Sequence, residues 1–255
     1  SDFLFASPSH REALARLHFL VDENRPLGIL SGFRGGGKSL VLSQFTSEVH
    51  GKGHALCPTN PLGMETHDFL WSLAASLQTN PRVEQNDFSL WRRISDRIRE
   101  NQYQGIRTVV MLDDADEASH EVLIQVLRLL KTQAGGITAI LAVEPSRATR
   151  LGGDLLQMSQ LHIQLEPWEE GEVRKYVRSS LVRAGGMPDI FDDSAITRLC
   201  ELAGGIPRWV RELAELALLA GAAQHQQHID YETIECAYQE LSAAYAQCTV
   251  TSMAG

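Results

Sequence analysis

The segment GFRGGGKS, residues 32–39, has the residue types and spacing of a loop that wraps around phosphate groups. This phosphate loop fits the pattern G-x-x-x-x-G-K-[ST], in which glycines let backbone N–H groups curl closely around phosphate oxygens. Lys38 would reach the β- and γ-phosphates of a nucleotide, and the Ser39 hydroxyl would bind Mg²⁺. The alternative is a glycine-rich turn in which Lys-Ser follows by chance.

The flanking sequence favours the phosphate-binding interpretation. Residues 27–30 form a short apolar run that predicts a buried strand, and a helix-like stretch extends from residue 38 to about residue 50. A phosphate site needs this strand–loop–helix context, because the N-terminal end of the helix carries the positive end of its dipole. The predicted nucleotide contacts here are Gly32, Phe33, Arg34, Gly35, Gly36, Gly37, Lys38, Ser39 and Leu40.

Arg34 distinguishes this loop, because it places a cation inside the phosphate cradle. A guanidinium at this position is suited to contact a phosphate or a neighbouring subunit. A solvated arginine is an equally good interpretation, and the sequence leaves both open.

A second group of residues able to do chemistry is VVMLDD, residues 109–114, which predicts a buried strand ending in two carboxylates. Hydrolysis of ATP needs one carboxylate for the Mg²⁺ hydration shell and another to position the attacking water. We assign the first role to Asp113 and the second to Asp114. The alternative is that residues 113–117 are an acidic loop capping the next helix.

The elements that must position these groups alternate between helices and apolar strands. Such alternation predicts an α/β fold, in which a mostly parallel sheet is sandwiched by helices and ligands bind at the carboxyl ends of the strands. The predicted strands are residues 27–30, 54–58, 108–113, 137–143 and 161–165, and the predicted helices are residues 10–21, 38–50, 64–77, 87–99 and 119–132.

The pattern changes after Pro167. Helices are predicted at residues 169–184, 193–203, 207–222 and 230–246, with no strand-like run between them. We therefore predict a nucleotide-binding α/β domain over residues 1–167 and a small all-helical domain over residues 168–255.

Composition excludes several classes of protein. The 255 residues carry a formal net charge of −9, which argues against a dominant nucleic-acid surface. No apolar run is long enough to span a membrane, and the first residues lack the features of a secretory signal, so we expect a cytoplasmic location. The four cysteines, Cys57, Cys200, Cys236 and Cys248, are scattered and predict reduced thiols rather than a disulfide or zinc site.

Several segments together carry a resemblance to a known family. They are FASPSHREAL at 5–14, the phosphate loop, LDDA at 112–115, LVRAG at 181–185, AGGIPR at 203–208 and ALL at 217–219. In these segments the chain resembles the AAA+ ATPases of the general secretion pathway protein A family, close to the type II secretion and pilus assembly ATPases. The resemblance covers nearly all of residues 3–242. It implies a P-loop NTPase fold of the AAA+ type with a helical lid, ATP and Mg²⁺ as ligands, and a homo-oligomer or a protein partner in a secretion or pilus apparatus.

The resemblance also implies roles for residues outside the phosphate loop. Pro207 and Arg208 would open a lid helix whose guanidinium faces the γ-phosphate, where it would stabilise charge on the phosphate oxygens. The alternative is a surface arginine after a proline turn. His10 would lie near the adenine, or would simply cap a helix.

The chain departs from the family's pattern at three places. Asp114 stands where many members have glutamate; it is one methylene shorter, and misplacing the water by about 1 Å costs on the order of 100-fold in rate. Glu144 stands near the water-sensing position, where a carboxylate repels phosphate unless it is protonated or paired. The arginine offered to a neighbouring subunit is not obvious, and Arg147 and Arg150 are the nearest candidates.

Three functions follow. The first is an ATP-driven assembly motor or remodeller in secretion or pilus biogenesis, attached to the inner face of a membrane by a partner or by sequence beyond residue 255. The second is a nucleotide-gated DNA-associated regulator of the transposition or replication type, which the acidic charge disfavours. The third is a switch or scaffold that binds ATP and hydrolyses it slowly, which Asp114 and Glu144 suggest.

Overall fold

The computed structural model describes residues 7–82, 84–133 and 135–252, with side chains in the last helix as far as Ala243. The chain divides into two compact units: one is Pro8–Leu165, and the other groups Ser7 with the chain from Glu166 onward. The strands are β1 (Leu27–Gly32), β2 (His54–Thr59), β3 (Arg107–Leu112), β4 (Ile137–Val143) and β5 (Leu161–Leu165). The helices of the first unit are α1 (Pro8–Asp22), α2 (Lys38–Val49), α3 (Thr66–Ser76), α4 (Asp87–Tyr103), α5 (His120–Thr132) and α6 (Gly153–Met158).

All pairs of neighbouring strands in the first unit are parallel. Within the described residues, the five strands form one sheet in the order β2-β3-β4-β1-β5. The central position of β4 brings the carboxyl ends of β1 and β3 to the same edge, with one strand between them. The predicted α/β fold with a parallel sheet between helices is therefore confirmed.

Strands β1 to β4 contribute side chains to two hydrophobic cores, one on each face of the sheet, whereas β5 contributes to one core only. Ile29 of β1 packs in the core that α3, α4 and α5 cover, and the next residue, Leu30, packs in the core that α1 and α2 cover. Because both faces are covered, the central strands need apolar residues at every position. β3 is therefore buried along its whole length, and its apolar run, residues 109–112, shows no alternation of apolar and polar residues.

Three short elements of the first unit were not predicted from the sequence. They are the 3₁₀ turns Ala115–Glu117 and Pro145–Leu151 and the helix α6. Elements of three to seven residues are too short to set up an apolar periodicity, so their sequences resemble loops. These turns position the acidic and basic residues described below.

The second unit consists of helices around its own core. They are α7 (Glu170–Arg183), α8 (Asp193–Ala203), α9 (Pro207–Ala223) and α10 (Tyr231–Ser252). Their apolar faces enclose Trp168, and the backbone N–H of Trp168 donates to the Gly205 carbonyl at 2.8 Å. Gly205 has φ +67°, and a Cβ there would lie 2.2 Å from the Trp168 carbonyl oxygen, so the second glycine of AGGIPR is required by close packing. None of the helices in the described residues is long and apolar enough to cross a membrane.

Candidate nucleotide-binding site

The phosphate loop begins with a tight turn that exposes Arg34. The Gly36 N–H donates to the Phe33 carbonyl at 2.9 Å, and Gly35 has φ +82°. This hydrogen bond and the positive φ at the third position are those of a type II turn, which favours glycine there. Arg34 occupies the second position, where its exposed side chain extends from the tip of the loop.

The phosphate loop ends at the N-terminus of α2. Gly37 precedes the helix with φ +98° and has no side chain that could cap its first turn. The N–H groups of that turn therefore lack partners within the helix and carry the positive end of its dipole. Ser39 lies in this turn with its side chain exposed, and Leu40 beside it is half-buried. The arrangement suits an anion held by backbone N–H groups.

His10 of α1 packs against the phosphate loop from behind. Its side chain is 2 % exposed, and a Cβ added at Gly37 would lie 2.3 Å from its Nε2. Burial lowers the pKa of His10, and a hydrogen bond with the Gly36 backbone opposes that shift. The structure thus places His10 against the loop backbone, where a neutral imidazole supports the turn; its contact with adenine stays a prediction.

Lys38 turns back onto the loop that precedes it. Its ammonium group is buried and donates to the Gly32 carbonyl at 2.9 Å and to the Phe33 carbonyl at 3.4 Å. These acceptors are neutral, so a phosphate would offer the ammonium a stronger, charged partner. Gly32 leaves room for this, since a Cβ there would lie 3.4 Å from Lys38 Cγ.

The acidic segment, residues 113–117, follows β3 directly. The Asp113 N–H donates to the Thr59 carbonyl at 3.0 Å, which extends the pairing of β3 with β2 by one residue. Asp114 then adopts left-handed backbone dihedrals, φ 51° and ψ 46°, and its N–H donates to Asp113 Oδ1 at 3.2 Å. Asparagine and aspartate tolerate this conformation better than most residues, so aspartate suits the position.

Electrostatics connect Asp114 with the phosphate loop. Partial burial raises the pKa of Asp114, and the negative charges of Asp113 and Asp116 raise it further. The positive charges of Lys38 and Arg34 lower it. The sheet therefore brings the two predicted acidic residues close to the cations of the phosphate loop.

Ser39 and Asp113, the two predicted Mg²⁺ ligands, line one cavity of about 400 Å³. Thr59 and Asn60, at the end of β2, line the same cavity. Thr59 is 8 % exposed, and its Oγ1 has no hydrogen-bond partner among the described residues. Hydroxyl and carboxylate oxygens are the donors that Mg²⁺ prefers, so this donor set fits the ion.

Thr59 and Asn60 are residues that the sequence did not single out. Residues 54–58 were predicted as a strand, but nothing in their order places that strand beside β3. The parallel pairing Thr59↔Leu112 sets the end of β2 next to the acidic segment. The available signal was general: polar residues at the carboxyl end of a strand in a parallel sheet lie at its ligand edge.

Glu144, Arg147 and Arg150 lie beside the acidic segment. The Glu144 N–H donates to Asp116 Oδ1 at 3.3 Å, while its carboxylate accepts a hydrogen bond from the Ser146 hydroxyl at 3.0 Å. Both arginines pair with the carboxylate of Glu117: Arg147 through a short ion pair, and Arg150 at 3.5 Å. The predicted candidates for a neighbour's site are thus bound within their own chain, and their role toward a neighbour stays a prediction.

Arg208 belongs to the second unit. Pro207 opens α9 at its first position, where a missing N–H costs nothing, and Arg208 follows with an exposed side chain. No described carboxylate lies within ion-pair distance of this guanidinium. Its contact with a γ-phosphate stays a prediction.

Comparisons with known sequences bear on the family of the chain. The family model described as "AAA domain" matches residues 21–151, a stretch that contains the phosphate loop and the acidic segment. The general secretion pathway protein A of Aeromonas hydrophila is 28% identical over 248 residues, which are 94% of this chain and 45% of that protein. The chain therefore spans less than half the length of this relative.

Solved structures share the fold at low sequence identity. Cdc6p from Pyrobaculum aerophilum has a TM-score of 0.74 at 17% identity, covering 94% of this chain and 69% of that one. The RuvB Holliday junction branch migration motor of Thermotoga maritima has a TM-score of 0.60 at 13% identity, covering 91% and 69%. The Aeropyrum pernix Orc1 protein, solved in complex with DNA, has a TM-score of 0.62 at 16% identity, covering 94% and 66%.

Sequence and structure therefore agree on the family. Strand β1, the phosphate loop and helix α2 lie inside the matched region. The acidic segment also lies there, and it follows β3, which is separated from β1 by one strand of the sheet. The likeness to a secretion protein that the motifs indicated is confirmed at the level of a resemblance. The P-loop NTPase fold implies nucleotide binding. The chain belongs to the AAA domain family.

Proposed function

We propose that the chain binds ATP with Mg²⁺, hydrolyses it, and uses the cycle to assemble or remodel a protein partner. One observation carries the proposal: Ser39 at the start of α2 and Asp113 after β3 line the same cavity, although 74 positions separate them in the sequence. A chance glycine-rich turn has no reason to lie against a strand end with two carboxylates. A phosphate site that also binds a cation needs this arrangement.

The phosphate loop holds the triphosphate in this proposal. Its backbone N–H groups and the N-terminus of α2 bind the phosphate oxygens, and Lys38 exchanges two loop carbonyls for the β- and γ-phosphates. Ser39 and Asp113 would hold Mg²⁺, which when bound supplies positive charge that neutralises the phosphate oxygens. His10 keeps the loop in shape by supporting Gly36 and Gly37.

Asp114 orients the attacking water and accepts its proton while the bond from the γ-phosphorus to ADP breaks. Its raised pKa suits this role, because a base is most effective when its pKa approaches the working pH. The short aspartate side chain holds the water less well than glutamate would, so we expect slow turnover.

Two further residues complete the proposed catalytic group by resemblance. Glu144 would lie near the terminal phosphate, and the hydrogen bond from Ser146 reduces the repulsion that its carboxylate would exert. Arg208, at the start of α9, would bind the γ-phosphate through its guanidinium and couple the second unit to the nucleotide.

The process is proposed from the relative's name. Because the sequence resembles a general secretion pathway protein over nearly its whole length, we assign the partner to a secretion or pilus apparatus. We place the work in the cytoplasm, where ATP is available, at the inner face of a membrane, and expect a homo-oligomer or a complex with that partner.

A DNA-associated regulator is the second candidate. The fold shared with an Orc1 protein solved in complex with DNA favours it. The arginines of α4 offer one candidate surface, but three of them pair with acids of the same helix: Arg92 and Arg99 with Asp96, and Arg97 with Glu100. The fourth, Arg93, donates to the Thr79 and Asn80 carbonyls. Such pairing and the net charge of −9 leave little free positive charge for a phosphate backbone.

The test measures ATP turnover per subunit over a wide range of protein concentration, with Lys38→Ala as the blank. We expect Mg²⁺-dependent turnover that Lys38→Ala and Asp113→Asn abolish. A rise in turnover per subunit with concentration would indicate a self-assembled enzyme. Tight ATP binding with turnover no better than the blank at every concentration would contradict the motor and favour the switch. Salt-sensitive DNA binding that requires ATP would favour the regulator.

A further inference from the structure

Arg34 is an exposed cation built into the phosphate loop. It occupies the second position of the turn closed by the Gly36 N–H and the Phe33 carbonyl, so its side chain starts from the part of the loop that surrounds a phosphate. Among the described residues, no carboxylate lies within ion-pair distance of Arg34. Its guanidinium therefore needs no bond to be broken before it can bind an anion.

Arg34 lies in the loop that leads into Ser39, and Ser39 lines one cavity with Asp113 of the acidic segment. The positive charge of Arg34 favours the ionised form of Asp114, as does that of Lys38. A charge acts measurably on a partly exposed carboxylate only at short range, because water screens it at longer distances. The loop that carries Arg34 therefore adjoins the acidic segment, where the terminal phosphate of ATP is expected in the proposed function.

The other candidate cations of the first unit are already bound. Lys38 donates to two loop carbonyls, while Arg147 and Arg150 pair with Glu117. This edge of the sheet also gathers the carboxylates of Asp113, Asp114, Asp116, Glu117 and Glu144. A bound triphosphate would add further negative charge, so a free cation close to it has a large electrostatic effect.

We infer that Arg34 binds the terminal phosphate of the ATP held by the same chain, and so supplies from within the phosphate loop a guanidinium that such sites can take from another subunit. This inference rests on the proposed function. The planar guanidinium donates two parallel N–H···O hydrogen bonds to phosphoryl oxygens. These hydrogen bonds strengthen as negative charge builds on the oxygens in the transition state. Because ADP lacks the terminal phosphate, Arg34 favours ATP over ADP.

The test compares the affinities for ATP and ADP, with Mg²⁺, of the wild type, Arg34→Gln and Arg34→Lys by titration calorimetry. We expect Arg34→Gln to weaken ATP binding by at least about tenfold, the scale of a lost bidentate charged contact, and ADP binding by less than about twofold. Arg34→Lys keeps the charge but loses the fork, so it should recover part of the ATP affinity. Arg92→Gln, on the exposed face of α4, is the matched control and should change neither.

Retained ADP binding shows that a variant is folded, so each result decides the inference. Equal loss of ATP and ADP affinity, or no loss, overturns it while leaving the proposed function standing. A wild type that binds neither nucleotide overturns both. Mixing the Arg34→Gln variant with an excess of the Lys38→Ala variant adds chains that carry Arg34 but have no working site of their own. If this mixture regains ATP turnover, the guanidinium acts on a neighbouring chain and the inference is wrong.

Discussion

Arg147 is ion-paired with Glu117 and also lies 3.8 Å from Asp116, a carboxylate only 4 % exposed. The partners of this arginine belong to the acidic segment, which also contains the two residues proposed to bind Mg²⁺ and position water. The 3₁₀ turn after β4 is thus fastened to the 3₁₀ turn after β3. Any movement of Arg147 toward another molecule must first break this connection.

Arg147→Ala and Arg150→Ala are expected to differ in stability. Loss of Arg147 leaves the buried Asp116 with the Glu144 N–H as its remaining described partner, so the free energy of unfolding should fall by about 1–2 kcal/mol. Arg150 contacts Glu117 alone, in an exposed pair, so its removal should cost less than about 0.5 kcal/mol. Urea unfolding of both variants measures the difference. Equal losses would mean that Asp116 does not depend on Arg147.

The strand–loop–helix unit was predictable because its signals are local. The phosphate loop has a fixed spacing of glycine, lysine and serine, and the apolar runs on each side give the element types. The carboxylates of residues 113 and 114 were predictable for the same reason, since they end a long apolar strand. Their closeness to the loop required one further assumption, that both strands run parallel in one sheet, and the observed order has this form.

The contacts that support the site were not predictable in this way. Asp116 and Glu117 looked like helix-capping acids, and their pairing with Arg147 depends on β3 and β4 being neighbours. His10 was assigned to adenine or a helix cap, whereas its position behind Gly37 depends on how α1 packs over the sheet. Such contacts depend on strand order and helix docking, and no local pattern of residues encodes either.

Gly37→Ala is expected to destabilise the protein by at least about 2 kcal/mol, for two reasons. Alanine is strained at the positive φ of this position, and its Cβ would occupy space that the His10 side chain fills. Gly51→Ala is the matched control: its φ of +77° is equally unfavourable, but nothing lies within 4 Å of the new Cβ. The excess loss at Gly37 over Gly51, measured by urea unfolding, reports the His10 contact. Adding His10→Ala to Gly37→Ala should recover part of this excess; no recovery would show that backbone strain alone is responsible.

Asp114→Asn is expected to stabilise the protein at pH 8 without nucleotide or Mg²⁺. Burial and neighbouring carboxylates raise the pKa of Asp114 in the folded protein, so its ionised form is disfavoured relative to the unfolded chain. Its contribution to stability therefore worsens as pH rises through the interval between the unfolded and folded pKa values, and improves as pH falls.

The difference in the free energy of unfolding between Asp114→Asn and the wild type should accordingly shrink as the pH is lowered from 8 toward 4. Urea unfolding in EDTA at several pH values measures it, and the same variant should lose ATP turnover while retaining ATP binding. A difference that grows on acidification would mean that the Lys38 and Arg34 charges outweigh the burial and the acidic neighbours.

Thr59→Val is expected to preserve or slightly raise the stability of the nucleotide-free protein. The Thr59 hydroxyl is buried at the cavity with no described partner, and a buried unpaired polar group costs about 1–3 kcal/mol, whereas valine has nearly the same shape. Because threonine and valine both favour β-strands, the substitution in the edge strand β2 should not disturb the backbone conformation. Thermal unfolding of wild type and variant measures the change, and the difference between Thr59→Val and Thr59→Ala reports the loss of packing.

ATP turnover separates a structural from a functional role for this hydroxyl. If Thr59 only fills space, Thr59→Val should hydrolyse ATP as the wild type does. If the hydroxyl joins Ser39 and Asp113 in ordering the water around Mg²⁺, turnover should fall while stability holds, and we expect this result because these residues line one cavity. Thr59→Ser, which keeps the hydroxyl, should then stay near wild-type turnover; a variant with lowered stability and unchanged turnover would assign the hydroxyl to the fold instead.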